Sequence, residues 1–324
     1  MTLWLNREDI LTCINERQLI RKMREAFIAI GDSALSSHRI RVDLSSIDGA
    51  SSQASAMTLV PGSLPGLSSY TVKVHAKYPE NPTNKMSAIQ GVIQLFDARN
   101  GKLLAIMDSP LITAHRTAAA TVVATDVLAR KDSHRVAIIG AGVQGEIQFR
   151  YLRRIRQIDL VSVYDVYADK AEEYARSRIH EGLAWQVASS VAEAVKNADI
   201  VITATWARSP ILYADMIQPG THISALGADE PGKAEIAYEL LQQSLFVCDD
   251  KHLATQMGAL NTFHGAESLP CATLAEVLRN ESPARCSPNA ITIFGSVGLP
   301  FQDLVAAWDV YQTATGQDIG QYLS

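Results

Sequence analysis

The sequence predicts an α/β protein in which a doubly wound parallel sheet follows a separate, β-rich part. Three observations carry this reading. From residue 135 onward, short apolar strands alternate with helical stretches, the texture of a parallel sheet covered by helices on both faces. The first of those strands, RVAIIG, runs directly into G140-A-G-V-Q-G145, a glycine turn that opens a helix. Between about 38 and 108, five short runs rich in β-branched residues follow one another without a helix, as in a mainly antiparallel sheet.

Taken in order, residues 3–31 carry helical spacing, with Ile20, Met23, Phe27 and Ile30 on one apolar face and Gly31 as the expected C-cap. RIRVDL, AMTLV, YTVKVHA, AIQGVIQLFD and LLAIMD are the strands, and D97-A-R-N-G101 has the composition of a hairpin turn between the last two. A helix is expected over 113–130, with Thr113 as its cap and an Ala-rich body. After RVAIIG come a helix from about 143, strand LVSVYD, a helix from about 168, a short strand at WQV and helix VAEAVKNA. Strands DIVITATW and THISALG, helix EIAYELLQQ and strand LFVCD follow. ITIFGSVGLPFQDLVAAWDVYQTATG reads as a strand, a glycine-containing loop and an amphipathic helix.

Composition narrows the function. Of 324 residues, 47% are hydrophobic and 19% charged, the balance of a soluble globular protein. A formal charge of −5 argues against nucleic acid or an anionic membrane surface as the main partner. The N-terminal MTLWLNREDILTCINERQ contains acids and no long apolar core, so it does not read as a signal peptide. No apolar run reaches membrane-spanning length, and a cytoplasmic location is the expectation. Cys13, Cys248, Cys271 and Cys286 form no C-x-x-C pair and read as buried or incidental thiols. The eight histidines form no H-E-x-x-H or comparable cluster, so no metal site is expected.

The chemistry-bearing residues fall into three groups. Gly140 permits a tight turn, Gly142 lets backbone approach a pyrophosphate, and Gly145 allows close helix–strand packing. Val143 and Gln144 share that helix N-terminus, whose N–H groups stabilise phosphate charge. Asp165 ends the next strand at the spacing of a ribose-binding carboxylate. It would repel a 2′-phosphate, and no Arg stands in YDVYADK to bind one, so NAD(H) is favoured over NADP(H). The second group is basic: Arg39, Arg41, Lys73, Lys77, Lys85 and Arg116. Lys77 and Lys85 read as solvated surface charge. Lys73, amid apolar neighbours, and Arg116, flanked by small residues in ITAHRTAAA, each need an anionic partner, which a substrate carboxylate would supply. Third, Asp229 in GADEPGKAEI follows a parallel strand at its carboxyl end, where it would shuttle a proton at a substrate amine or water, or would simply be a turn residue.

The blocks ITAHRTAAATVVATDVLAR, VAIIGAGVQG, GADEPGKAEI and FGSVGLPFQDL together resemble the ornithine cyclodeaminase and mu-crystallin family, collinearly from about residue 38 to the final helix. The resemblance implies a Rossmann-type NAD(P)-binding domain over 118–301. It also implies an α+β substrate-binding and dimerisation domain over 1–117 with 302–324, and a homodimer. By it, Lys73 and Arg116 match the cations on the substrate carboxylate, Asp229 the catalytic acid, and Ser296, Val297 and Gly298 the loop beside the nicotinamide. Arg39 or Arg41 supplies a third carboxylate ligand; Arg39 is preferred and Arg41 stays open. The implied activity is hydride transfer at the α-carbon of a small α-amino or cyclic α-imino acid. Two departures bear on the substrate. A family hydroxyl falls on Ala88, with Ser87 beside it, and the Glu that holds a distal amino group in ornithine cyclodeaminases is Thr58 here. Thr58 does not neutralise an ammonium, so imine reduction or amino acid dehydrogenation ranks above cyclodeamination. A non-enzymatic, mu-crystallin-like ligand-binding protein ranks third, because mu-crystallins lack the D-x-P-G-K pattern that this chain has.

Overall fold

The computed structural model describes residues 1–30, 39–44, 56–78, 81, 86–178, 182–263 and 269–323. The chain separates into two compact units, Met1–Thr117 with Leu299–Ser324, and Ala118–Gly298. The second unit thus ends ahead of the 301/302 boundary read from the sequence. Gly31 and Lys85 lie outside the described residues.

The first unit is built on β1 (Thr2–Leu5), β2 (Ile40–Val42), β3 (Met57–Gly62), β4 (Ser69–Lys77), β5 (Ile89–Asp97), β6 (Leu103–Asp108) and β17 (Gln321–Leu323), in the order β17-β1-β6-β5-β4-β3-β2. All neighbours are antiparallel except β1 and β6. The DARNG turn closes β5 onto β6, with Gly101 N–H donating to Asp97 O and Gly101 at φ 73°, a conformation glycine adopts without strain. The helical run expected over 3–31 is instead strand β1 followed by two helices, α1 (Arg7–Cys13) and α2 (Glu16–Ala29). Two caps impose the breaks. Asn6 and Asp9 form a reciprocal capping box at α1, and Asn15 accepts from Gln18 N–H at the start of α2. Each such cap stabilises its helix by about 1 kcal/mol. Leu19, Met23, Ala26 and Phe27 are the buried face of α2, while Ile20 and Ile30 are only half-buried. Phe27 meets Phe301 of α10 (Pro300–Gln317) edge to face, with centroids 5.1 Å apart.

Helix α3 (Ser109–Leu128) starts ahead of the expected Thr113, because the Asp108 carboxylate accepts from Leu111 N–H at 2.8 Å and caps it. The division between the units falls inside this helix.

The second unit carries β7 (Arg135–Ile139), β8 (Leu160–Tyr164), β9 (Ala184–Val187), β10 (Ile200–Thr203), β12 (His222–Ala225), β14 (Ser244–Cys248), β15 (Cys271–Thr273) and β16 (Ile291–Gly295). They form one wholly parallel sheet in the order β15-β14-β16-β12-β10-β7-β8-β9. Burial on both faces explains the near-continuous apolar strands, such as IVIT in β10 and RVAII in β7. Helices α4 (Val143–Leu152), α5 (Ala168–Arg176), α6 (Val191–Val195), α7 (Tyr238–Gln242), α8 (Lys251–Gln256) and α9 (Leu274–Leu278) complete the unit. The expected helix EIAYELLQQ begins only at Tyr238; Ala234–Ile236 is strand β13, paired with β11 (Arg208–Leu212). Strand order reverses between β7 and β10, the switch point outside whose carboxyl ends open α/β sheets place their ligands.

His222 is the polar centre of this core. Its Nδ1 lies 3.0 Å from Thr292 Oγ1, and its Nε2 is 3.2 Å from Ser224 Oγ and 3.3 Å from Thr125 Oγ1. Burial, reinforced by Arg285 and Arg156, pushes the imidazole down to about 3. The unfolded chain therefore binds a proton that the folded chain refuses between pH 6.5 and about 3. This contribution to stability is complete above pH 6.5 and is lost as the pH falls, at about 1.4 kcal/mol per pH unit. Melting curves from pH 7 to 4.5 should show the acid-side fall in Tm, and His222→Gln should make it shallower by about one proton.

Candidate active site

In the first unit, antiparallel register places the expected cations on one sheet face. Lys73, His75 and Lys77 alternate along β4 and share a face. Val60 opposes Lys73, and continuing the β2–β3 register one step places Arg39 opposite Val60. The adjacent row runs Arg41–Thr58–His75–Gly91. Arg39 is half-buried, whereas Arg41 is exposed. Lys77 is buried rather than solvated as expected, because its face of β4 lies inward.

Over Lys73 sits the first turn of α10, admitted by Gly62. A Cβ at Gly62 would lie 2.5 Å from Pro300 O and 2.7 Å from Thr71 Oγ1, so only glycine lets the helix start come this close. The result is a buried triad. Asp303 Oδ2 is 2.6 Å from Lys73 Nζ, and Asp303 Oδ1 is 3.0 Å from Arg116 Nε. Arg116 Nη1 also donates to Gln302 Oε1 at 2.8 Å. Lys73 and Asp303 are 3% and 2% exposed, so neither charge is hydrated and each depends on the other. Burial pushes Asp303 up, but Lys73 and Arg116 outweigh it and hold the carboxyl below its usual range. Burial lowers Lys73 to about 8, with Asp303 pulling the opposite way and Arg116 adding to the fall. His75 is driven down to about 3 by burial and then by Lys73, so it stands neutral beside Thr58. The row through Thr58 holds no carboxylate. Ser87 is exposed, and its carbonyl accepts from Asn81 Nδ2 and Gln90 Nε2; Ala88 O accepts from Tyr78 N–H.

In the second unit, the glycine turn joins β7 to α4 at the switch point. A Cβ on Gly140 (φ 104°) would lie 2.7 Å from Ala204 O after β10, and one on Gly145 would strike Gly140 O. A Cβ on Gly142 would meet nothing within 4 Å. Gly142 is therefore empty on the side a ligand would approach, at the N-terminus of a helix that no side chain caps. There the leading N–H groups, including those of Val143 and Gln144, lack intrahelical partners, and Val143 is exposed. This fits a dinucleotide pyrophosphate. Asp165 also braces the turn: its Oδ2 accepts from Ala141 N–H at 2.9 Å and its Oδ1 from Tyr167 N–H at 3.0 Å.

Asp229 occupies a loop held from three sides. Lys233 Nζ lies 2.9 Å from Asp229 Oδ1 and 4.1 Å from the centre of the Trp206 ring. Asn261 accepts from Gly232 N–H and donates to Lys233 O. Glu235, fully buried, accepts from Thr203 Oγ1, Thr205 N–H, Thr205 Oγ1 and Gly227 N–H, all within 2.8 Å. Burial pushes its carboxyl up even though all four bonds favour the ionised form. Ser296, Val297 and Gly298 are likewise pinned, by Asp249 at the end of β14. Ser296 Oγ donates at 2.9 Å, Val297 N–H at 3.0 Å and Gly298 N–H at 2.7 Å. The N–H groups of Val297 and Gly298 thus serve an internal carboxylate.

Asp303, Gln302, Glu235 and Asp249 escaped the sequence reading. Each gains its role only from a partner on another segment, which the sequence does not show. The four cysteines are free thiols, with Cys248 and Cys271 Sγ atoms 3.2 Å apart. Among the described residues there is no cluster able to hold a metal ion, and no helix is long and apolar enough to cross a membrane.

Comparison with known proteins adds four relationships. The sequence pattern of the ornithine cyclodeaminase/mu-crystallin family matches residues 5–318. The ketimine reductase mu-crystallin of Rattus norvegicus is 36% identical over 75% of each chain. Among solved structures, Thermococcus litoralis Δ1-pyrroline-2-carboxylate reductase with NADH and L-proline is 30% identical, covering 99% of this chain and 100% of that one at a TM-score of 0.91. An archaeal alanine dehydrogenase dimer with bound NAD is 30% identical, covering 100% and 99% at 0.90.

The glycine geometry predicts a graded response. Gly140→Ala should cost at least ~1–2 kcal/mol from its backbone conformation alone, and Gly145→Ala should lower Tm through its backbone clash. Gly142→Ala should melt within about 0.5 kcal/mol of wild type. Calorimetry on the three variants checks the order.

Proposed function

The chain belongs to the ornithine cyclodeaminase/mu-crystallin family, and from that premise we propose that it is an NAD(H)-dependent oxidoreductase acting on the C–N bond of a small α-amino or cyclic α-imino acid. The observation that carries this reading is the buried triad, in which two cations share one internal carboxylate and leave a net positive charge for a ligand carboxylate. Lys73 and Arg116, with Arg39 as third ligand in preference to Arg41, hold that group and orient the α-carbon, which is catalysis largely by positioning. NAD(H), when bound at Gly140–Gly145 with Asp165 on its ribose, supplies or accepts the hydride. Asp229 carries a proton to or from the substrate nitrogen or attacking water, and Lys233 fixes its carboxylate. Asp229 in the D-x-P-G-K pattern also favours an enzyme over a passive binding protein.

The Thr58 row supports reduction of an imine or dehydrogenation of an amino acid over cyclodeamination. Its other members are Arg41, neutral His75 and Gly91, so nothing in it neutralises a distal ammonium. A homodimer is supported by the archaeal alanine dehydrogenase, solved as a dimer with bound NAD.

A panel of cyclic imino acids with NADH, and of amino acids with NAD, tests the reading: turnover is expected in one panel. Conversion of ornithine to proline with no net change in NADH would overturn the ranking. Gly142→Ala should weaken NADH binding by about tenfold or more despite its unchanged melting. Asp229→Asn should lower kcat by about 10²-fold or more with a smaller change in KM; near-normal turnover would remove Asp229 from the mechanism.

A further inference from the structure

We propose that Asp303 is a positioning residue for substrate binding: it bridges Lys73 and Arg116 with separate oxygens, keeping both cations charged and their remaining donors aimed at a ligand carboxylate. This rests on the functional reading above. Two buried cations on neighbouring elements repel strongly at low effective dielectric, and neither is hydrated here. Asp303 meets Lys73 at 2.6 Å and Arg116 Nε at 3.0 Å, while the preceding residue, Gln302, takes Arg116 Nη1. Consecutive residues of one helical turn thus lock two of the three nitrogens of Arg116. Its Nη2 makes no hydrogen bond among the described residues, and Lys73 Nζ gives one of its three protons to Asp303. The uncommitted donors point where the committed ones leave them. The first turn of α10 also favours an acid, through the partial positive charge of a helix start.

Among the described residues, the charges acting on Lys73 are Asp303 from α10, Arg116 from α3 and Arg39 from ahead of β2, and the titratable groups that share its strand face are His75 and Lys77. Its cross-strand partners Val60 and Ile93 are apolar. Asp303 is the one anion in this set. With it, Lys73 titrates at about 8; without it, every remaining influence lowers the lysine further.

The test follows binding of L-proline or L-alanine to the full chain with NADH present, by nicotinamide fluorescence, from pH 6 to 9, where the ligand amine stays largely protonated. Wild type should lose affinity as the pH passes about 8. Asp303→Asn should lose it at lower pH, so that its deficit relative to wild type widens by about tenfold across the neutral range, with the Kd for NADH unchanged. A structural role would lower Tm and affinity equally at every pH, and a deficit that does not vary with pH overturns the proposal. Should the Asn variant fail to fold, Asp303→Glu keeps the charge and lengthens the arm. It should keep the wild-type inflection while binding the carboxylate more weakly at all pH values, and wild-type affinity in that variant overturns the proposal. If wild type binds neither ligand, the functional reading falls and this proposal with it; normal wild-type binding with an unshifted profile in the variant removes Asp303 alone.

Discussion

The first unit is organised around one buried ion triad, Lys73–Asp303–Arg116. Three segments far apart in sequence each contribute one charge, and none is tolerable in that setting alone: removing one partner of a buried pair typically costs about 3–5 kcal/mol. Much of the neighbouring sequence serves this arrangement. Gly62 gives up its side chain so that Pro300 can approach, Phe27 packs edge to face on Phe301 of the same helix start, and Gln302 steadies the arginine. The Coulomb energy of such a triad about offsets its desolvation, so its value lies in geometry: a cation pair held ready, with spare donors.

The second unit uses carboxylates differently. Asp165, Glu235 and Asp249 each accept backbone N–H groups from loops at the carboxyl ends of parallel strands. A carboxylate that accepts several N–H bonds fixes loop backbone as a cap fixes a helix end, by satisfying donors that the parallel sheet leaves open. The glycine turn, the Asp229 loop and the Ser296–Gly298 loop are therefore rigid by construction, which suits a site that works by positioning.

Much of this was legible in the sequence. The glycine turn was readable because each glycine answers a different steric demand, and the β-rich segment because its period of two differs from that of helices. Lys73 and Arg116 stood out as cations in apolar or small-residue surroundings. What escaped has physical reasons too. TLWL is too short to separate from the helical run behind it, and it is a strand because β6 and β17 lie on either side of it. The Ala234–Ile236 strand hid in a helical pattern because its partner β11 contains Pro210 and does not read as a strand. Lys77 was read as exposed because sequence gives the alternation of a strand but not which face turns inward. Asp303 was passed over because an acid in the first turn of a helix is so common that it carries little signal; only the approach of α10 to β4 gives it a partner.

The first unit is discontinuous, and that bears on its assembly. Residues 299–323 supply α10 and the edge strand β17, so a ribosome that has made residues 1–298 has completed the parallel-sheet unit but left Lys73 and Arg116 without their counter-charge. Pairing across so much intervening chain is slow, because loop closure must precede its reward. The nascent protein therefore finishes its middle first and waits, with an incomplete sheet and two uncompensated cations, for synthesis to reach Asp303. Translation order thus sets the ion triad after the parallel-sheet unit.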